Sequence, residues 1–330
     1  MTNYYKQSQN FIDEVKSKCW GTLPTANNSS ISSDLTAWRG LQSLMEKSTT
    51  SGKVFSNNIV STYSLFYTTT NAYSGAVLDI NGDIHFIPLS AAVGQKISSN
   101  GTVSTYSLVY TAIFAYAGGV LAPNGDIHFV PVNAPAGQKI TTNGTVSTYS
   151  LVYTIGSARY NGGILAPNGD IHFIPSSASI GQKISSAGVV STYSFISGSY
   201  VGGVLAPNGD IHFVPYSANR GQKIAADGTV ITYSLVYTGN QLYNGGALAP
   251  NGDIHFIPYG ANRGQKVAAD GTVSTYSLVY SSAAYRGGVL VPNGDIHFIA
   301  YDANIGQKIS TVPSIPFNKI ICCSPFFNKF

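Results

Sequence analysis

The sequence predicts an all-β chain: a six-bladed β-propeller of four-stranded antiparallel blades, with a 1+3 strand closure and a short helical N-terminal extension. Three observations predict it. The hexapeptide NGDIHF occurs six times, from Asn81, Asn124, Asn168, Asn208, Asn251 and Asn293, at intervals of 43, 44, 40, 43 and 42 residues. The marker (S/I)TYS(L/F) also occurs six times, from Ser61, Ser104, Ser147, Ser191, Ile231 and Ser274. A third marker, GQK(I/V), trails each NGDIHF by about ten residues. β-rich periods of about 40–50 residues are the signature of propeller blades.

Each repeat reads as four strands. In the second, Gly118–Ala122 is a short first strand. Pro123-Asn124-Gly125 is a turn, with Pro at its favoured position and a Gly able to adopt positive φ. Asp126–Pro131 returns as the second strand, Gln138–Ile140 is the third, and Thr145–Tyr153 is the fourth and longest. The first strand opens with Gly-Gly in five repeats, as expected where strands crowd the axis and a Cβ has no room. The fourth strand carries apolar or aromatic groups on both faces, because each blade packs between two neighbours.

The order of the markers gives the ring a phase. The first element is a lone fourth strand, Val60–Tyr67, and the last repeat stops after Gln307-Lys308-Ile309. Pairing the two removes both free sheet edges. The propeller therefore spans 58–310. Residues 1–57 form an N-terminal extension with a helix expected at Ser33–Lys47, where Leu35, Trp38, Leu41 and Leu44 recur at helical spacing. The tail, 311–330, is apolar and broken by proline.

Composition excludes several classes. Only 10% of the 330 residues are charged and the net charge is +4, with no run of Lys or Arg, so no nucleic-acid partner is expected. No apolar stretch reaches the roughly 18 residues of a membrane span. The N-terminus lacks the apolar core of a secretion signal, which points to a cytoplasmic protein or a particle component. Cys19, Cys322 and Cys323 have neither disulfide nor metal spacing and read as reduced thiols.

The six histidines occupy one repeat position, each two residues after an aspartate: Asp83/His85, Asp126/His128, Asp170/His172, Asp210/His212, Asp253/His255 and Asp295/His297. Residues i and i+2 of a strand point the same way. Such a pair suits metal or proton transfer, but six copies on six blades cannot converge on one ion. The residues are read as a structural hydrogen-bonding network, with no metal and no cofactor expected. The repeated Lys of GQK, from Lys96 to Lys308, reads as a solvated face or a partner of the turn Asp.

The aromatic before each innermost strand also repeats: Tyr73, Tyr116, Tyr160, Tyr200, Tyr243 and Tyr285. It ends a loop that varies between copies, from TTTNAY to SSAAY. Variable loops on a rigid scaffold are where binding resides. These six tyrosines are the candidate ligand-binding residues, the other reading being that they pack the loop down on the blade. Residues 51–330 contain no Glu, and no triad, phosphate loop or zinc spacing is present.

The order GG(V/I/A)LAPNGDIHF(I/V)P, GQKI, GTVSTYSL resembles the blades of virginiamycin B lyase-like propellers over about residues 58–310. The resemblance implies the architecture. Lyase members use a histidine and acidic or metal-binding residues set in particular blades. Here the histidine recurs in every blade, so no catalytic residue is transferred. The expectation is a non-enzymatic binding or scaffolding propeller that engages a protein or glycan through the loops near the central axis. The alternatives are a metal-dependent lyase or lactonase acting from the central channel, and a structural component of a virion or tail.

Overall fold

A computed structural model describes residues 62–280 and 285–311. The chain divides into two compact units, Ser64–Ile315 and Met1–Tyr63 with Pro316–Phe330. Apart from Thr62 and Tyr63, the second lies outside the described residues, and with it the helix expected at Ser33–Lys47 and Cys19, Cys322 and Cys323.

The repeat unit is all-β, and no helix occurs among the described residues. Blade one is β1 Tyr73–Leu78, β2 Ile84–Pro88, β3 Val93–Ile97 and β4 Val103–Ser107. Blade two is β5 Tyr116–Leu121, β6 Ile127–Pro131, β7 Ala136–Ile140 and β8 Val146–Ser150. Blade three is β9 Tyr160–Leu165, β10 Ile171–Pro175, β11 Gly181–Ile184 and β12 Val190–Tyr193. Blade four is β13 Ser199–Leu205, β14 Ile211–Ser217, β15 Arg220–Ile224 and β16 Val230–Ser234. Blade five is β17 Tyr243–Leu248, β18 Ile254–Pro258, β19 Arg263–Val267 and β20 Val273–Ser277. Blade six is β21 Tyr285–Leu290, β22 Asp295–Ala300 and β23 Lys308–Ser310.

Within each blade the strands pair antiparallel in sequence order. The first strands pack against one another from blade to blade, β1 on β5 on β9 on β13 on β17 on β21, and so form the inner wall. This is a six-bladed propeller body, with five sheets of four strands and one of three. Thr62–Tyr67, the described part of the expected closing element, is not in strand conformation, so the fourth-strand place beside β23 is empty among the described residues.

Glycine explains how the inner wall forms. The first Gly of each Gly-Gly pair has positive φ, 82° at Gly118, and the register with strand two slips there. A side chain at Gly245 would meet the Cα of Gly287 in the next blade at 2.8 Å. The bulge and the missing Cβ let neighbouring strands approach at the axis.

The core lies at the blade junctions. Ile87 of blade one packs with Tyr116, Ile127 and Phe129 of blade two. Val130 of blade two packs with Tyr160, Ile171 and Phe173 of blade three, and this pattern continues to blade six. Among the described residues the far face of blade six has no such neighbour. Val289 is 51% and Ile299 46% exposed, where Val204 and Ile257 at the same repeat positions are 8% and 0%.

A buried glutamine staples each junction. Gln138 Oε1 of blade two accepts the backbone N–H of Val109 (3.0 Å) and Tyr110 (2.8 Å) as the chain leaves blade one. Gln182, Gln265 and Gln307 each repeat the double contact. Gln95 does the same for Phe66 and Tyr67. One side-chain oxygen thus satisfies two backbone donors that no sheet ladder reaches.

Candidate functional site

The Asp-x-His position lies on strand two, facing strands three and four. His128 pairs in register with Lys139, and Lys139 with Ser147. Lys139 Nζ is 2.7 Å from Asp126 Oδ2. The same pair forms in every blade: Lys96–Asp83 at 2.6 Å, Lys183–Asp170 at 2.7 Å, Lys223–Asp210 at 2.6 Å, Lys266–Asp253 at 2.6 Å and Lys308–Asp295 at 2.5 Å. In four blades the other carboxylate oxygen accepts a backbone N–H: Ser99 on Asp83, Ser186 on Asp170, Ala226 on Asp210 and Ala269 on Asp253. Burial alone would raise the carboxyls of Asp170, Asp210 and Asp253, but the lysine bond and these backbone donors hold all three below their ordinary value.

The histidines are buried against the tyrosine of STYS. His128 Nδ1 lies 3.3 Å from the Tyr149 hydroxyl, His212 3.2 Å from that of Tyr233, and His255 3.3 Å from that of Tyr276. His85 and His172 face Tyr106 and Tyr193 with ring centroids 5.7 and 5.5 Å apart. Burial, reinforced by the nearby lysine charge, pushes His128, His172, His212 and His255 down to about 4. They are therefore neutral at neutral pH. His297 differs: it is exposed, and among the described residues no fourth strand covers it.

Between blades two and three this group floors a half-open cleft of about 340 Å³, where His128, Lys139 and Tyr149 face Ser185 and Ser186. A cleft of about 200 Å³ repeats the arrangement around His212 and Lys223 between blades four and five.

Blade one breaks the pattern. Asp79 stands where blades two to five have Ala. Its Oδ2 lies 3.4 Å from His85 Nε2, and ligand atoms of Asp79, Asp83 and His85 all fall within 4.8 Å of one another. These residues could approach a cation. Most of their oxygens are already used, however. Asp79 Oδ1 accepts the N–H of Asn81 and of Asp83, both at 2.8 Å, and Lys96 occupies Asp83 Oδ2.

The tyrosines expected to meet a ligand lie elsewhere. Tyr116, Tyr160, Tyr200 and Tyr243 are 0% exposed and Tyr285 1%. Tyr73 is half-buried. Each hydroxyl donates inward to a carbonyl at or just before strand three: Tyr73 to Val93, Tyr116 to Ala136, Tyr160 to Ile180, Tyr200 to Arg220, Tyr243 to Arg263 and Tyr285 to Ile305. The rings pack tilted or edge-on against the phenylalanine of DIHF, as Tyr116 does against Phe129 with centroids 5.5 Å apart. A tyrosine satisfied and buried in this way belongs to the core and offers a ligand nothing. The expectation is corrected on that ground.

What the loops expose is different. The residue after STYSL or STYSF points outward at every junction: Phe66 70%, Val109 60%, Val152 61%, Ile196 48%, Val236 61% and Val279 97% exposed. Ile113, Phe114 and Ile155 on the loops are exposed as well. Arg159 goes the other way. It is buried, and its guanidinium donates to the carbonyls of Thr154, Gly156 and Ala134. Its role is to hold its own loop.

No protein-family model matches the sequence, and no curated protein matches it. The fold is matched widely. A streptogramin B lyase structure superposes with a TM-score of 0.60 at 24% identity, over 68% of this chain and 75% of that one. An inactive virginiamycin B lyase from Staphylococcus aureus, solved with quinupristin, gives 0.62 at 16% identity over 73% and 85%. Hydrazine synthase from Kuenenia stuttgartiensis gives 0.55 at 12% identity over 73% and 77%. The chain is thus a propeller resembling virginiamycin B lyase, and at these identities the likeness is one of fold.

Proposed function

We propose that this chain is a non-enzymatic binding propeller that engages a protein or glycan through the loop rim. One observation carries it: the repeat consumes its charged groups internally and spends its apolar ones on the rim. The six Asp of the Asp-x-His position are paired with Lys at 2.5–2.7 Å. Four histidines are held neutral and buried, with no carboxylate set apart to act on them. Catalysis needs unlike groups driven to unlike pKa values in one pocket, and these blades repeat like groups. Meanwhile each junction presents an exposed apolar residue that packing does not use. Repetition favours avidity, about 10²–10⁴ above single-site affinity. A glycan array and a pull-down from a native extract test the reading. Saturable capture supports it, and two empty results overturn it.

A second reading, a metal-dependent lyase or lactonase, is favoured by the Asp79, Asp83 and His85 cluster in blade one. Quinupristin, present in the structure of the inactive virginiamycin B lyase, supplies a substrate to try. Elemental analysis of the purified protein decides the metal requirement. Stoichiometric Mg, Ca or Zn supports this reading, and their absence removes it.

A further inference from the structure

One sector of the rim departs from the repeat in a concerted way. The residue after DIHF(I/V)(P/A) is Leu89, Val132 and Ser176 in blades one to three, but Tyr216, Tyr259 and Tyr301 in blades four to six. Their rings form a row across the blade junctions. Tyr216 and Tyr259 lie 6.0 Å apart at 39°, and Tyr259 and Tyr301 6.2 Å apart at 47°. Tyr301 is 51% exposed, and the other two are half-buried. Arg286 projects onto this row from the second position of β21, where the other blades carry Ser74, Ala117, Asn161, Val201 and Asn244. Its Cζ sits 3.6 Å from the Tyr301 ring centroid and 5.4 Å from that of Tyr259. Arg220 and Arg263, both exposed, open the strands that follow Tyr216 and Tyr259. Asp302 follows Tyr301 in the sequence.

From this juxtaposition we infer that the Tyr216–Tyr259–Tyr301 row with Arg286 is a binding strip for an acidic oligosaccharide. This rests on the binding reading above and names its ligand class. Tilted, half-exposed rings offer apolar faces to the C–H faces of successive sugar rings, while their hydroxyls remain available for hydrogen bonds. A guanidinium already held flat over an aromatic ring loses little freedom on binding and presents its fork to a carboxylate or sulfate. Three arginines favour an anionic ligand over a neutral one. Single-stranded nucleic acid also stacks on aromatics, but it needs a groove of positive charge along its backbone, which a net charge of +4 spread over the whole chain does not supply.

The test is calorimetric titration of the full chain with oligogalacturonate and, in parallel, with a neutral cello-oligosaccharide and a poly-dT oligonucleotide. The expected result is saturable binding of oligogalacturonate that weakens with salt. Tyr259→Ala and Tyr301→Ala should each weaken it by about tenfold or more. Arg286→Ala should reduce the preference for the acidic over the neutral sugar, and Val132→Ala, at the matching place in blade two, should leave binding unchanged. Circular dichroism and melting confirm the folding of each variant. If Tyr259→Ala fails to fold, the more exposed Tyr301→Ala decides. Absence of oligosaccharide binding, or binding indifferent to Tyr301→Ala, overturns the strip, as does preference for the oligonucleotide. Rim ligands that the strip variants still capture would overturn the strip and leave the binding propeller standing.

Discussion

A glycine and a tyrosine are locked together in each of the first five blades. A Cβ on Gly137 would fall 2.1 Å from the ring of Tyr149, and Gly94, Gly181, Gly221 and Gly264 meet their own tyrosines at 2.0–2.1 Å. The Gly of GQK therefore exists to let the STYS ring lie flat across strand three and reach the histidine. Gly137→Ala must displace that ring from a packed junction, and it should cost about 1–3 kcal/mol. Urea denaturation reads this directly, as a lower midpoint at an unchanged slope. The histidines add a pH dependence. In the unfolded chain they titrate near 6.5, and in the fold His128, His172, His212 and His255 are pushed down to about 4. Between these values the unfolded state binds more protons. Stability is thus full above about pH 6.5 and is lost as pH falls toward about 4. The aspartates held low by lysine lose their contribution only at lower pH, below the ordinary carboxyl range. Melting curves between about pH 7 and pH 4 should show the decline already under way at pH 5.5. A flat profile down to pH 4 would show that the histidines are not buried neutral.

At the scale of the element, strand existence and order were legible in the sequence, because turn and strand markers recur with fixed spacing. The closing phase was legible only as an expectation. Asp126, His128 and Lys139 could be picked out as a set, but their pairing depends on the register of strands two and three. Gln138 escaped notice because its partners, Val109 and Tyr110, come from the preceding blade and share no local motif with it. Gln138→Ala should leave those two N–H groups unsatisfied and destabilise by about 1–3 kcal/mol, measured as a fall in melting temperature with the fold retained. For Tyr116 and its equivalents the sequence left ligand binding and packing on the blade both open, because a variable loop precedes them. The ring turns inward at the point where the loop becomes β5, and a sequence does not display that turn. The row of Tyr216, Tyr259 and Tyr301 was hidden for the converse reason: each is an ordinary substitution within its own repeat, and only adjacent blades make them neighbours.

The edge of β23 carries a further prediction. In blades one to five the fourth strand pairs residue for residue with GQK, as Lys96 does with Ser104 and Gly94 with Tyr106. No side chain comes within 4 Å of the Cβ position of Gly306, and Tyr63, in the first copy of the marker, is 59% exposed. The 1+3 closure expected from sequence places Ser61 opposite Lys308. After replacement of the native cysteines, Ser61→Cys with Lys308→Cys should form an intramolecular disulfide under mild oxidation. Crosslinked dimers and ladders would instead mean strand exchange between copies, and no crosslink would contradict the closure.

Over the whole molecule, five junction cores and five double or single glutamine staples turn the six repeats into one inner wall. The body is built from sameness, and what is specific lies where sameness fails. Two places break it with polar or aromatic groups: the Asp79 cluster in blade one, and the tyrosine–arginine row in blades four to six. The first would suit turnover and the second binding, so they can be separated by chemistry. The most direct measurement is the chromatographic retention of quinupristin after prolonged incubation with the purified protein and a divalent cation, since a change in retention reports any covalent change in the molecule. The binding account predicts unchanged quinupristin. Conversion to a product that disappears with Asp79→Ala would contradict it.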